Sequence, residues 1–212
     1  MSSIRAFLAI NLPVPVVRRL TDEVRALQPA VKAAGLEVAW VPAANVHLTL
    51  KFFGNIDPVV VAAIQSRLSS GLRAHPPFEL EARGLGAFPD ARRPRILWAG
   101  LRESAPLLAL QKDIEDWMEE IGFEREARTF HPHLTLGRVK HGGAQNEETI
   151  ATLLGEREKA LFGGGRITEV VLYESRTLRA GAEYTPLTRV ALGAPGHGAP
   201  GAGERKTPTR PT

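Results

Sequence analysis

The chain repeats one short pattern, first as His47-Leu48-Thr49-Leu50 and again as His133-Leu134-Thr135-Leu136. Polar and apolar residues alternate in both copies, which is the period of a β-strand. On a strand, the histidine and threonine of each copy point to one face and the two leucines to the other. We therefore expect each copy to bury its leucines and to present an imidazole beside a hydroxyl group.

The polar face of these two strands predicts a particular chemistry. Imidazole is the side chain whose ordinary pKa permits proton transfer near neutral pH. One neutral and one protonated histidine on opposite sides of a ligand form an acid–base pair, and a threonine hydroxyl with a nearby arginine can hold an anion. Two such half-sites suit in-line displacement at phosphorus without a metal ion. A single His-x-Thr strand is more often structural, but core packing does not explain the repeated polar pair.

The residues that follow the two motifs are further candidates. Arg138 is a candidate phosphate ligand, although strict alternation places it on the leucine face, so a bulge or bend at Gly137 would be needed to turn it. Lys51 shares the face of the first histidine, where it either attracts phosphate or is solvated. Phe52 and Phe53 offer a stacking surface for a base, but core packing is the stronger expectation for both.

The bulk composition is that of an ordinary globular protein, with 43% hydrophobic and 24% charged residues. There is no cysteine, which excludes disulfides and favours a cytoplasmic protein. The first residues lack the pattern of a signal peptide, and no stretch approaches the roughly 18 apolar residues of a membrane span. Part of the net charge of +4 lies in the last 20 residues. The remaining charge is too small to indicate a long surface that binds nucleic acid.

Periodicity predicts alternating strands and helices. Pro29 is expected to interrupt or end the first helix. Residues 193–212 contain five Gly and four Pro and are expected to form a disordered tail, which leaves residues 1–192 as a single folded domain. The order of strand, helix, motif strand and helix occurs twice, which suggests two similar lobes with the histidines between them. The predicted strands besides the motifs are 5–12, 38–41, 78–85, 95–100, 166–174 and 184–192, and the predicted helices are 14–34, 57–72, 104–121 and 147–161.

Together these residues resemble the 2H phosphoesterases, a superfamily named for two His-x-Thr/Ser-x motifs. They are specifically similar to the RNA 2′,3′-cyclic phosphodiesterases, also known as 2′–5′ RNA ligases. The resemblance covers nearly all of residues 4–192 and implies an α+β fold: two pseudo-symmetric α/β lobes whose antiparallel sheets flank a central cleft. Besides the motifs it rests on Arg5-Ala6-Phe7-Leu8-Ala9-Ile10, Trp40-Val41, Gly84-Leu85-Gly86-Ala87-Phe88-Pro89, Arg93-Pro94-Arg95-Ile96-Leu97-Trp98-Ala99-Gly100 and Leu172-Tyr173-Glu174-Ser175.

The resemblance also implies an activity, the hydrolysis of RNA 2′,3′-cyclic phosphate ends to 2′-phosphomonoesters without a metal or another cofactor. By family analogy His47 is the proton donor that protonates the departing 3′ oxygen, and His133 is the proton acceptor that activates water. Thr49, Thr135 and Arg138 would bind the phosphate. The same residues would also join a cyclic phosphate to a 5′-hydroxyl as a 2′–5′ linkage, with the roles of the imidazoles exchanged. The implied partners are RNA ends, including tRNA fragments, and we expect a monomer that binds no membrane.

Other functions remain open at this point. A non-catalytic module would hold an RNA or nucleotide phosphate without turning it over, and a related enzyme would act on a small cyclic-phosphate metabolite. His131 has the strand parity of His133, but the pair lacks further ligands, so no metal site is expected. The run Arg92-Arg93-Pro94-Arg95 either guides an RNA backbone or is a solvated loop. The remaining histidines, His75, His141 and His197, are interpreted as solvated, and Trp40, Trp98 and Trp117 as core residues.

Overall fold

Nine β-strands and four α-helices alternate along the part of the chain that the computed structural model describes, which is residues 3–141, 147–178 and 181–193. The strands are β1 (Ile4–Ile10), β2 (Glu37–Trp40), β3 (Leu48–Ile56), β4 (Phe78–Phe88), β5 (Ile96–Leu101), β6 (His133–His141), β7 (Leu161–Ile167), β8 (Glu169–Leu178) and β9 (Gly181–Ala191). The helices are α1 (Val14–Ala33), α2 (Val61–Gly71), α3 (Ala105–Glu120) and α4 (Glu147–Gly155).

The strands form one antiparallel sheet in the order β7-β4-β5-β6-β3-β1-β8-β9, and β2 pairs with β6 beside this path. The motif strands β3 and β6 are neighbours at the middle of the sheet, where Leu48 is paired with Leu134. The sheets expected for two separate lobes are therefore joined into one curled sheet. We call the junction of β3 and β6 the seam.

The two halves of the sheet are built by the same order of elements. β1 pairs with β3 as β5 pairs with β6. β8 and β9 extend β1, just as β4 and β7 extend β5. Helix α1 packs on β7 in the opposite half, and α3 packs on β3 in the opposite half. Each half therefore packs a helix against the other half. This equivalence of the two halves confirms the prediction of two pseudo-symmetric α/β lobes.

The helices cover one face of the sheet, and the motif leucines point into the core beneath them. Leu48, Leu50, Leu134 and Leu136 are at most 3% exposed and belong to the hydrophobic core. Burial of each such side chain contributes roughly 1.5–3 kcal/mol. Because side chains alternate along a strand, the motif histidines and threonines point to the other face, which we call the open face.

Pro29 lies inside α1, which continues to Ala33, so the prediction that this proline interrupts or ends the helix is wrong. A proline inside a helix removes one backbone hydrogen bond. The apolar stripe of α1 continues beyond the proline, since Val31 is buried like Leu27. Packing of this stripe against the core holds the last turn in place despite the lost bond.

Strand β7 was not predicted, and α4 ends at Gly155 rather than at residue 161. The β7 sequence contains Gly163-Gly164-Gly165, which gives a weak strand signal. The glycines allow β7 to approach β4 closely, because a Cβ at Gly164 would lie 2.6 Å from the carbonyl oxygen of Leu80. The strand predicted over 166–174 is accordingly the end of β7 and the start of β8.

The predicted tail, which includes His197, lies outside the described residues apart from Gly193. Within the described part of the chain, none of the helices has both the length and the apolar character that a bilayer span requires.

Candidate active site

The two motif histidines lie diagonally across the seam. Leu48 and Leu134 are paired, so His47 and His133, which precede them, are diagonal neighbours on the open face. Such neighbours in an antiparallel pair lie roughly 7–8 Å apart. The two imidazoles are also close enough to interact electrostatically, because the charge of His133 contributes to lowering the pKa of His47. The seam therefore brings the two motifs into one site.

Each imidazole is oriented by a backbone carbonyl two residues earlier in the chain. Nδ1 of His47 lies 2.7 Å from the carbonyl oxygen of Asn45, and Nδ1 of His133 lies 2.7 Å from that of His131. A carbonyl only accepts hydrogen bonds, so Nδ1 donates in both rings. Nε2 is thereby the ring nitrogen left available for proton exchange with a ligand. In the first motif, Nε2 lies 3.1 Å from Oγ1 of Thr49.

Burial lowers the pKa of both imidazoles below the ordinary value of 6.5. The hydrogen bonds that the two rings donate to the carbonyl oxygens of Asn45 and His131 oppose this effect. The positive charge of Arg138 lowers the pKa of both His47 and His133 further. Both rings are therefore mainly neutral at pH 7 in the free protein. A bound phosphate would raise both pKa values, because a nearby anion favours the charged imidazolium.

A bulge in β6 brings Arg138 to the open face. Two consecutive residues of β5, 97 and 98, pair with Gly137 and Thr135, so Leu136 is an extra residue in β6. Leu136 and Gly137 are both buried, which shifts the alternation, and Arg138 is exposed on the face of Thr135. The bend that would turn Arg138 toward the histidine is therefore present, while its role in phosphate binding stays a prediction.

Strand β3 has the matching bulge, and it turns Lys51 into the core. Leu8 and Ala9 of β1 pair with Lys51 and Thr49, which leaves Leu50 as the extra residue. Lys51 is only 4% exposed. The expectation that Lys51 shares the face of the first histidine is therefore wrong, because the extra residue reverses the alternation after Leu50.

The buried Lys51 is paired with a carboxylate. Its Nζ donates to Oε2 of Glu115 at 2.5 Å and to the carbonyl oxygen of Glu124 at 2.8 Å. The same carboxylate accepts from Nε2 of Gln111 and from the backbone N–H of Glu126. These bonds tie the β3 bulge to α3 and to the segment that leads toward the second motif.

Phe52 stands at the same position after the first motif as Arg138 does after the second motif. It follows the bulge and is 55% exposed on the open face, so the core expectation is wrong for Phe52. Phe53 packs against the core, with its ring centroid 4.7 Å from that of Phe123, and this confirms the core expectation for Phe53.

Aromatic rings enclose His47 more closely than His133. Phe7 stacks on His47 with ring centroids 4.8 Å apart, and Tyr184 meets it edge-on at 5.3 Å. Phe7 also stacks on Tyr173. These three rings belong to β1, β8 and β9, and sequence reasoning did not assign them to the site. The signal that was available is the resemblance, which includes the stretches around Phe7 and Tyr173.

The remaining histidines lie in different surroundings. His131 is exposed, and His141 is exposed at the end of β6 rather than in a loop. His75 is not solvated as expected, because its Nε2 lies 3.0 Å from Oδ2 of Asp113 and its ring packs against Trp117. In the described ranges of the chain, no group of three or more potential metal-ligating side chains is arranged to share an ion.

Trp40 and Trp117 pack against the core as predicted, whereas Trp98 does not belong to it. The Trp98 ring lies over Gly86 on the neighbouring strand and 5.3 Å from the ring of Phe88. Residues 92–95 lie in the loop between β4 and β5, where Arg93 is 3.7 Å from the carboxylate of Glu147. Guidance of an RNA backbone by this loop stays a prediction.

The chain matches the family model of the 2′-5′ RNA ligase superfamily over residues 13–178. It is 36% identical over 184 residues to the RNA 2′,3′-cyclic phosphodiesterase of Methanothermobacter thermautotrophicus, covering 87% of this chain and 96% of that protein. It is 34% identical over 171 residues to the protein of the same name from Aeropyrum pernix, covering 80% of this chain and 95% of that protein.

Solved structures show the same fold. TT0787 of Thermus thermophilus superposes with a TM-score of 0.74 at 25% identity, over 90% of this chain and 98% of that chain. E. coli LigT complexed with 3′-AMP superposes with a TM-score of 0.70 at 26% identity, over 90% of this chain and 99% of that chain. With the family model matched across both motifs, the chain belongs to the 2′-5′ RNA ligase superfamily, as its paired His-x-Thr strands predicted.

Proposed function

We propose that the protein hydrolyses RNA 2′,3′-cyclic phosphate ends to 2′-phosphomonoesters without a metal ion. The observation that carries this proposal is the pairing of Leu48 with Leu134, which brings two imidazoles together on one face. The names of the relatives, RNA 2′,3′-cyclic phosphodiesterase, support the substrate class. Two imidazoles supply the acid and the base that an in-line displacement requires.

In the proposed reaction a water oxygen attacks phosphorus while the bond from phosphorus to the 3′ oxygen breaks. Nε2 of His133 takes the proton from the water, and Nε2 of His47 gives a proton to the departing 3′ oxygen. The phosphate stays on the 2′ oxygen. Thr49, Thr135 and Arg138 stabilise the nonbridging oxygens as negative charge builds up on them.

The surroundings of the two rings support this assignment of roles. His47 is enclosed by Phe7 and Tyr184, and its Nε2 faces Thr49. His133 borders an open groove on the far side of the seam. Water reaches His133 from this groove, whereas the more enclosed His47 suits the side that holds the ribose.

Protonation of the donor depends on the substrate. Both imidazoles have a lowered pKa in the free protein, which by itself disfavours a proton on His47. The phosphodiester anion opposes this, because it favours the imidazolium form of whichever ring carries the proton. The lowered pKa of His133 favours the neutral form that a base requires.

The proposal extends to ligation, which the same arrangement of imidazoles supports. An RNA 5′-hydroxyl replaces water as the nucleophile, and the product is a 2′–5′ linkage. His133 is the base in both cases, since the attacking group occupies the same side of phosphorus. The exchange of roles expected for ligation therefore applies instead to cleavage of the 2′–5′ linkage. We further propose that the enzyme acts as a monomer in the cytoplasm and that tRNA fragments are among its substrates.

Product analysis tests the hydrolytic proposal. An oligonucleotide with a 2′,3′-cyclic phosphate end is incubated with the protein in a chelator, and the resulting end is identified. We expect a 2′-phosphate at an undiminished rate. A 3′-phosphate product or a loss of rate in the chelator would contradict the mechanism. No turnover would support the non-catalytic binding module, and a strong preference for a cyclic mononucleotide over the oligonucleotide would favour a small metabolite as substrate.

A further inference from the structure

A groove of about 330 Å³ opens beside His133 on the open face, in the second half of the molecule. His133 lines this groove, and His47 does not. Pockets that hold small organic ligands start at about 300 Å³. The groove is therefore large enough for a group of about the size of a nucleoside.

The groove has a floor of glycine and one cationic end. Gly100 on β5 is paired with His133 on β6. A Cβ at Gly100 would lie 2.8 Å from the carbonyl oxygen of Arg83 on β4. Arg83 is therefore two strands away from His133, or about 10 Å at the usual strand spacing. The Arg83 side chain is exposed and has no ion-pair partner among the described residues.

The groove walls combine ring surfaces with polar groups. Phe88 meets His133 edge-on at 4.9 Å, and Trp98 lies 5.3 Å from Phe88. Both rings line the groove, together with Glu158. Aromatic faces suit a base or a ribose, a carboxylate accepts from hydroxyl or amino groups, and an arginine pairs with phosphate.

The position of the groove relative to phosphorus decides what occupies it. In an in-line displacement the nucleophile and the leaving oxygen lie on opposite sides of phosphorus. In the proposed function His47 serves the leaving 3′ oxygen, so the ribose of the cyclic phosphate lies on the side of His47. The groove lies on the side of His133, where the nucleophile enters.

We infer that this groove holds the nucleoside that carries the attacking 5′-hydroxyl in 2′–5′ ligation, and that Arg83 binds the next phosphate of the same strand. This inference rests on the proposed function. In ligation the 5′ oxygen bonds to phosphorus and its proton passes to His133, while the bond to the 3′ oxygen breaks and that oxygen takes a proton from His47. The reverse step cleaves the 2′–5′ linkage, and each proton returns to the group from which it came. The same nucleoside occupies the groove in this step.

The reverse step provides the test. The substrate is a 2′–5′-linked diadenosine with a 3′-phosphate on the nucleoside expected in the groove, and cleavage to the cyclic phosphate is compared with hydrolysis of 2′,3′-cyclic AMP. Arg83→Ala is expected to lower kcat/KM for cleavage about tenfold, through loss of a charge-assisted hydrogen bond. Hydrolysis of 2′,3′-cyclic AMP is expected to stay within twofold, and Arg83→Lys to recover part of the cleavage.

Arg102→Ala is the matched control, because Arg102 is an exposed arginine of the same region that does not line the groove. The inference is overturned if Arg83→Ala leaves cleavage unchanged, or if it lowers hydrolysis and cleavage equally. A wild-type protein that hydrolyses the cyclic phosphate but neither forms nor cleaves a 2′–5′ linkage overturns the groove assignment alone. Failure of hydrolysis as well overturns the proposed function.

Discussion

Leu48 and Leu134 face each other across the middle of the sheet, and this pair fixes the relative position of the two motif histidines. Both leucines are almost completely buried. The site therefore depends on a contact in the core, on the face of the sheet opposite to the chemistry. A disturbance of this contact should affect catalysis as well as stability.

Truncation at the seam tests this dependence. Leu134→Ala should lower the free energy of unfolding by about 2–5 kcal/mol, and it should also reduce turnover in protein that is still folded. Leu172→Ala is the control, since Leu172 is equally buried on β8 but lies away from the seam. It should cost similar stability and leave turnover near that of the wild type. Urea unfolding and turnover at low temperature measure both quantities. Equal turnover in the two variants would show that the seam does not position the site.

Arg138 should control the pH dependence of the reaction. Its charge contributes to the lowered pKa of both His47 and His133, and kcat/KM reports the ionisation of the free enzyme. In a plot of kcat/KM against pH, the alkaline limb is the region where the donor loses its proton. This limb should therefore lie below pH 6.5. In Arg138→Ala the maximum value of kcat/KM should fall. The alkaline limb should move to higher pH, because removal of a positive charge raises the pKa of both rings. Arg138→Lys keeps the charge and should keep the limb in place. A limb that stays fixed in Arg138→Ala would contradict the assignment.

The buried pair of Lys51 and Glu115 should be essential to stability. Glu115→Gln leaves a buried ammonium group without its counter-charge, and this should cost about 3–5 kcal/mol. The same substitution in a Lys51→Met background should cost much less, because no buried charge then remains unpaired. Chemical denaturation of the two single variants and the double variant gives the coupling free energy between Lys51 and Glu115. A cost below about 1 kcal/mol for Glu115→Gln alone would indicate that the pair is not buried in solution.

Phe52 should bind the base of the cyclic nucleotide, since it is exposed on the open face in the half that holds His47. Stacking of a base on an aromatic side chain is worth roughly 1–3 kcal/mol. Phe52→Ala should therefore raise KM for 2′,3′-cyclic AMP about tenfold, and Phe52→Tyr should restore it. For an abasic ribose 2′,3′-cyclic phosphate, the wild type and Phe52→Ala should behave alike. A similar loss with both substrates would assign Phe52 a structural role.

The pattern of apolar residues was sufficient to predict much of the fold. The motif strands alternate cleanly, and the leucines that the alternation assigns to the core are in the core. The doubled order of elements predicted the two lobes. Strand β7 was missed because Gly163-Gly164-Gly165 lacks the side chains on which strand recognition depends, although the same glycines permit its close pairing with β4.

The two bulges could not be located from alternation. An extra residue at Leu50 reverses the faces of the next two residues of β3, so Lys51 is buried and Phe52 is exposed. Gly137 gave a hint of the second bulge, since glycine often marks such a bend. Lys51, at the matching position of the first motif, gave none. Its burial depends on Glu115, a partner far away in the sequence.

The most direct test of the central claim is the turnover of a 2′,3′-cyclic-phosphate oligonucleotide by His47→Ala, His133→Ala and the double variant. If both imidazoles act on one phosphorus, each single change should lower kcat by roughly 10²- to 10⁴-fold, and the double change should cost little more than the larger single effect. His75→Ala, remote from the site, should retain wild-type turnover. Near-native turnover in either motif variant, or losses that multiply in the double variant, would contradict the account.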